Sequence, residues 1–129
     1  MSYVNVKETK FVNNTRKIYK YPDHYVNVTG LIKVSALSDS LFTDEDGRKY
    51  VPQGTCLVGG LSAAGRQALS LPDSSAKKFD CVVVNTEYVR PGDTELLVTV
   101  CIHGFLRKQV LEAANGTGLT CSNSMIAVM

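Results

Sequence analysis

Residues 44–60, DEDGRKYVPQGTCLVGG, constrain the fold more than any other stretch of the chain. Asp46-Gly47 predicts a tight turn, because glycine tolerates positive φ and aspartate bonds to its own backbone. Lys49-Tyr50-Val51 then reads as a strand. Pro52 has no N–H to give to a ladder, so the strand must stop or lie at an edge there, and Gly54 frees the chain to turn sharply. Residues 55–58 start again as a buried apolar strand, closed by Gly59-Gly60. The order turn, strand, corner, strand belongs to a β-rich architecture, and no residue type in it points to catalysis.

The rest of the sequence repeats that theme. Tyr25-Val26-Asn27-Val28 alternates, Gly30 is expected to interrupt it, and residues 31–35 resume as a strand. Residues 79–84, FDCVVV, form a β-branched run. Arg90-Pro91-Gly92-Asp93 is a turn with proline preset at its second position. Residues 94–102, TELLVTVCI, carry the strongest strand signal and are expected to pair antiparallel with the preceding run across that turn. Residues 61–69 predict a short helix weakened by Gly65. Residues 106–114 predict another, with Leu106, Val110, Leu111 and Ala114 at helical spacing and Asn115-Gly116 as its stop. Residues 125–128 read as a terminal strand. The expected class is mainly β, a small α+β domain with one or two short helices.

At 129 residues the chain is one domain's worth, enough to bury a core without staples. Its longest apolar runs fall far short of a membrane span, and its first residues lack the apolar core of a signal peptide, so synthesis in the cytoplasm and no membrane partner are expected. The four cysteines, at 56, 81, 101 and 121, are too widely spaced for metal-binding pairs and are expected as free buried thiols.

The net charge of +2 hides an asymmetry. Lys7, Lys10, Arg16, Lys17 and Lys20 face Glu8 alone in the first twenty residues, which also hold Tyr3, Val4, Val6, Phe11, Val12, Ile18 and Tyr19 between polar neighbours. A tail meant only for solvation would not carry β-branched and aromatic residues. The segment either pairs within the domain or waits for a partner that accepts a strand. Tyr21-Pro22-Asp23-His24 breaks the chain. Residues 1–24 are therefore expected as an extended arm and 25–129 as the body. Fully extended, some twenty residues reach about 65 Å.

Few constellations carry chemistry. Cys101 and His103 share a strand face, yet ideal strand geometry sets their Cα atoms about 6.5 to 7 Å apart with parallel side chains, poorly placed for a nucleophile and its base. His24 reads as a lone surface histidine. Asp44, Glu45 and Asp46 lack the alternating ligands and distal glutamate of a calcium loop. The glycines do not have phosphate-binding spacing. No stacking motif accompanies the basic arm, so nucleic acid is not an expected partner. No metal, cofactor or catalytic activity is expected.

DGRKYVPQGTCLVGG followed by CVVVNTEYVRPGDTELLVTVCIHGFLRK resembles the head decoration proteins of tailed phages, the lambda type among them, over roughly residues 44–110. The matching positions are Asp46, Gly47, Pro52, Gly54, Thr55 and Gly59, then Pro91, Gly92 and Asp93, and finally His103, Gly104 and Phe105. Arg90 departs from the pattern, as acidic or polar residues are common before that turn, and the cysteines are no family signature. The resemblance implies a β-tulip domain that assembles as a homotrimer on the outside of the capsid, binds after the shell expands, and clamps neighbouring major capsid subunits without being an enzyme. It also implies an arm that adds to a capsid strand, which puts Tyr3, Val4, Val6, Phe11 and Val12 at the shell. The rival readings are another phage structural part, such as a head-fibre base or tail-tube component, and a small cysteine hydrolase using Cys101 and His103.

Overall fold

A computed structural model describes residues 18–61 and 67–129. Its strands are β1 (Tyr25–Lys33), β2 (Tyr50–Val51), β3 (Cys56–Leu57), β4 (Gln67–Leu69), β5 (Lys78–Phe79), β6 (Cys81–Val83), β7 (Glu87–Tyr88), β8 (Glu95–Leu106), β9 (Thr120–Cys121) and β10 (Ile126–Val128). The α-helix among the described residues is α1 (Lys108–Asn115). The protein is mainly β, as the sequence predicts. No helix among the described residues is long and apolar enough to cross a membrane.

The main sheet runs β3-β6-β8-β1-β4, with β10 added to β8. β6 and β8 pair antiparallel, Val82 opposite Cys101 and Val83 opposite Val100, as expected across the Pro91-Gly92-Asp93 turn. β1 and β8 form the longest ladder, from Tyr25–Gly104 to Lys33–Glu95. The two ends of this order also meet. Val58, just past β3, and Ser70, just past β4, exchange both backbone hydrogen bonds at 2.8 and 3.0 Å. The sheet thereby closes into a small barrel, which leaves few strand edges exposed.

Closure explains the hydrophobic pattern. Ile32, Leu57, Leu69, Cys81, Val83, Leu96, Val98 and Val100 fill one core, with Leu37, Phe42 and Val51 against them. Cys56, Val82, Val84, Cys101 and Leu106 point to the other face of the same strands and build a second core with Ile18, Tyr19, Phe79, Leu111 and Ile126. A strand buried on both faces reads as continuous apolar sequence rather than as alternation, which is why residues 81–84 are CVVV.

The corner at residues 52–55 positions α1 on the second core. Thr55 is buried and its hydroxyl donates to the Pro52 carbonyl at 2.7 Å. Gly54 has φ +94°, and a Cβ there would lie 2.8 Å from the Val110 carbonyl oxygen, so only glycine lets the helix come this close. Asn115 closes the contact: its Oδ1 accepts from Cys56 N–H at 2.9 Å, and its Nδ2 donates to the Gly54 and Leu111 carbonyls, both at 2.7 Å. The helix then stops at Gly116, φ +78°, as expected.

Three expectations are corrected. The helix over residues 61–69 is replaced at its end by β4, because residues 67–69 complete the barrel. The second helix starts at Lys108 rather than Leu106, which remains in β8. The body does not begin at Tyr25. Ile18 and Tyr19 are fully buried in the second core, Tyr19 bridges to Leu106, and Lys20 N–H and Arg107 N–H bond to the Phe105 and Ile18 carbonyls, both at 2.9 Å. The last residues assigned to the arm thus belong to the domain.

Candidate docking face at the arm root

The C-terminal part of β8 builds the site. Along the barrel, even-numbered residues of β8 face the first core and Cys101 faces the second. Between Cys101 and His103 the ladder with β1 slips, Asn27 lying opposite Cys101 and Val26 opposite His103, so that Ile102 is an extra residue. Buried Asn123 holds the bulge, its Nδ2 donating to the Ile102 carbonyl at 2.7 Å and to the Asp80 carbonyl at 3.0 Å. After the bulge the alternation is inverted. Leu106 now faces the second core, while His103 and Phe105 turn outward.

Three segments flank this stretch. Tyr25 and Tyr19 lie on one side of β8 and β10 on the other, Ala127 opposite Phe105 and Val128 opposite Leu106. Strand alternation puts Met125, Ala127 and Met129 on the same outer face as Phe105, and Val26 beside His103. Tyr21 stands edge-on to Phe105, with ring centroids 5.4 Å apart. The result is an apolar outer face in which Tyr21, Val26, Met125 and Met129 are 45–51% exposed. Exposed Lys20, Arg107 and Lys108 line a recess of about 260 Å³ at its margin, with Tyr21, Gln109 and Met129. A contiguous apolar face with a polar border is the composition of a docking surface.

Beneath the face the arm root is locked. Tyr19 Oη donates to Asn27 Oδ1 at 2.6 Å, and the Tyr19 ring stacks on Tyr25 at 4.4 Å. Burial, and next the neighbouring Cys101, push the Tyr19 phenol far above its usual range, so it stays a neutral donor. Segment 18–20 is therefore fixed to the body beside the apolar face.

The positions singled out from sequence fall into three groups. Tyr3, Val4, Val6, Phe11 and Val12 lie outside the described residues. Asp46, Gly47, Pro91, Gly92 and Asp93 form two exposed turns: Asp44 accepts from Asp46 and Arg48 N–H at 3.0 and 2.8 Å, Asp93 accepts from Arg90 N–H at 3.1 Å, and both glycines have positive φ. Pro52, Gly54, Thr55 and Gly59 shape the corner and the end of β3. Only His103 and Phe105 belong to the candidate face; Gly104 between them is buried and turns to the second core, where a Cβ would lie 3.1 Å from Cys101 Sγ. The other members of the face, Tyr21, Val26, Met125 and Met129, have no motif; the signal available in the sequence was the apolar run at residues 125–128.

The structure separates Cys101 and His103. Cys101 is fully buried and donates its thiol proton to the His103 backbone oxygen at 3.2 Å, while the bulge leaves His103 exposed. Burial raises the Cys101 thiol, which disfavours the thiolate a nucleophile needs. Burial likewise pushes Cys56 up to about 12. Among the described residues no group of His, Cys, Asp or Glu side chains is placed to hold a metal ion.

No family model, curated protein or solved structure matches this chain.

Proposed function

We propose that this chain is a head decoration protein of a tailed phage, a β-tulip-like body that binds the outside of the expanded capsid and clamps neighbouring major capsid subunits. One observation carries the reading: Ile18 and Tyr19 bolt the arm to the body at the margin of an exposed apolar face. A partner gripping the face also meets the arm. The arm's backbone adds ladder hydrogen bonds to a sheet edge of the capsid protein, while Tyr3, Val4, Val6, Phe11 and Val12 fill pockets beside it. Assembly as a homotrimer offers three arms and three faces at once, turning weak contacts into durable attachment.

Cosedimentation with expanded and unexpanded shells of the encoding phage tests this. The full chain is expected to pellet with expanded shells and to stay in solution with unexpanded ones. A variant with aspartate at Val4, Val6, Phe11 and Val12 is expected to fold and lose that binding. A wild-type chain that ignores expanded shells rejects the reading, and undiminished binding by the variant rejects the role of the arm.

A further inference from the structure

Among the described residues, β10 pairs with β8 alone and its other edge is open. The Met125 carbonyl accepts from Gly104 N–H at 3.1 Å and Met129 N–H donates to the Leu106 carbonyl at 2.8 Å, so residues 125, 127 and 129 bond toward β8 and the peptide groups of Ile126 and Val128 turn the other way. Ile126 N–H is satisfied by the Asn123 carbonyl at 3.2 Å. The Ile126 carbonyl and both groups of Val128 have no partner among the described residues. Beside this edge opens a recess of about 320 Å³, apolar along Phe79, Leu111, Leu119, Ile126 and Val128 and polar along Lys108 and Glu112, with Cys121 half-buried in it. An edge unpaired among the described residues, next to a recess with one apolar wall, is the form of a strand-accepting site, and left bare it invites association.

We infer that this site takes the chain's own residues 3–6, Tyr-Val-Asn-Val, as an added strand. In such a strand, period-two alternation would send Val4 and Val6 to one face, toward the apolar wall of the recess, and Tyr3 and Asn5 to the other. Reach permits it. The described chain begins at Ile18, whose carbonyl is bonded to Arg107 N–H beside β8, and a strand added outside β10 lies three strand spacings from Tyr19, about 15 Å. Residues 7–17 span up to about 36 Å when extended. So short a tether holds the segment at an effective concentration on the order of millimolar, which favours the chain's own edge over that of a second copy.

The inference deepens the decoration reading by giving the arm two addresses: its own β10 edge in the free protein, and a sheet edge of the shell after attachment. The docked arm covers an edge that would otherwise pair with other copies, and shell binding consists in exchanging one ladder for another. It rests on that reading only for what displaces the arm.

Cys121 reports the arm directly, because it lines the recess while Cys81 and Cys101 are fully buried. In the full chain, Cys121 alkylation by iodoacetamide, followed by peptide mass mapping, is expected to be about tenfold slower than in the full-length Val4→Asp/Val6→Asp variant. Cys81 and Cys101 serve as folding controls. In a second measurement, a Val4→Cys variant is expected to form an intramolecular disulfide with Cys121 under mild oxidation by a diazene, which is reduced to the hydrazine as the two thiols lose their hydrogens. Equal Cys121 rates in the folded wild type and variant, with no such disulfide, overturn the inference. Protection that disappears on dilution overturns it in favour of a second copy. Neither result bears on whether the protein binds shells.

Discussion

β8 belongs to two different structures along its length. Its first half, with Leu96, Val98 and Val100 inward, is a stave of a closed barrel whose members all lie in the middle of the chain. Its second half, beyond the bulge at Ile102, is flanked by segments from the two ends of the described chain, Tyr19 on one side and β10 on the other. The barrel half turns its apolar residues inward, with Leu97, 44% exposed, the exception along this stretch. The annex half buries only one face, against α1, and leaves Tyr21, Val26, Met125 and Met129 to solvent. The contrast separates two kinds of packing: the barrel closes on itself, and the annex keeps an apolar face in contact with solvent.

The largest test of that division is in the barrel. Leu57 is fully buried in the first core, so Leu57→Ala is expected to destabilise the protein by about 2 to 5 kcal/mol in urea unfolding. A loss below about 1 kcal/mol would mean that the barrel interior is not the seat of stability.

Alkaline pH probes how firmly the annex core is joined to the barrel. Burial raises all four thiols above their usual value of 9.0, Cys81 in the barrel and the other three on the annex side. A thiol whose pKa is higher in the folded state keeps its proton there while the unfolded chain releases one. Stability is therefore fully present below about pH 9 and falls as pH climbs through the folded-state values. For Cys56 the window runs from 9.0 to about 12. Within it, Cys56→Ala is expected to reduce the slope of unfolding free energy by about 1.4 kcal/mol per pH unit. One cooperative transition in both proteins would show the two cores acting as a unit; a separate alkaline step lost in the variant would show the annex yielding first.

Much of this contrast was legible in the sequence, but unevenly. Residues 94–102 announced a strand because their alternation is long, and the two turns were set by residues whose backbone preferences are local. Barrel closure was not legible, since it rests on a single bridge between Val58 and Ser70, which leaves no periodic trace. The same blindness made residues 67–69 look helical. Gly30 predicts an interruption, yet β1 runs through it, because Leu69 fills the space its Cβ would occupy, 2.4 Å from Cδ1. The site was hidden by the bulge: on a regular strand Cys101 and His103 share a face, and one extra residue sends them apart. The outer face itself is assembled from residues 21, 26, 105, 125 and 129, which only the tertiary fold brings together.

The smallest expected effect on folding is the sharpest test of the division. Tyr21 and Met125 are 48% and 45% exposed and sit on the outer face of the annex. Replacing both by serine removes apolar surface that solvent already reaches, so the cost in urea unfolding is expected to stay within about 0.5 kcal/mol per site. Tyr21 also gives up its edge contact with Phe105, which places any loss at that site rather than at Met125. If the face is a docking surface, the same double variant should bind expanded shells at least about tenfold more weakly in cosedimentation, because truncating central apolar anchors costs binding far more than it costs folding. Unchanged binding with unchanged stability would strip the face of its role and leave attachment to the arm alone. A large loss of stability would show instead that the annex holds the fold together, and that the two halves of β8 do not divide their labour.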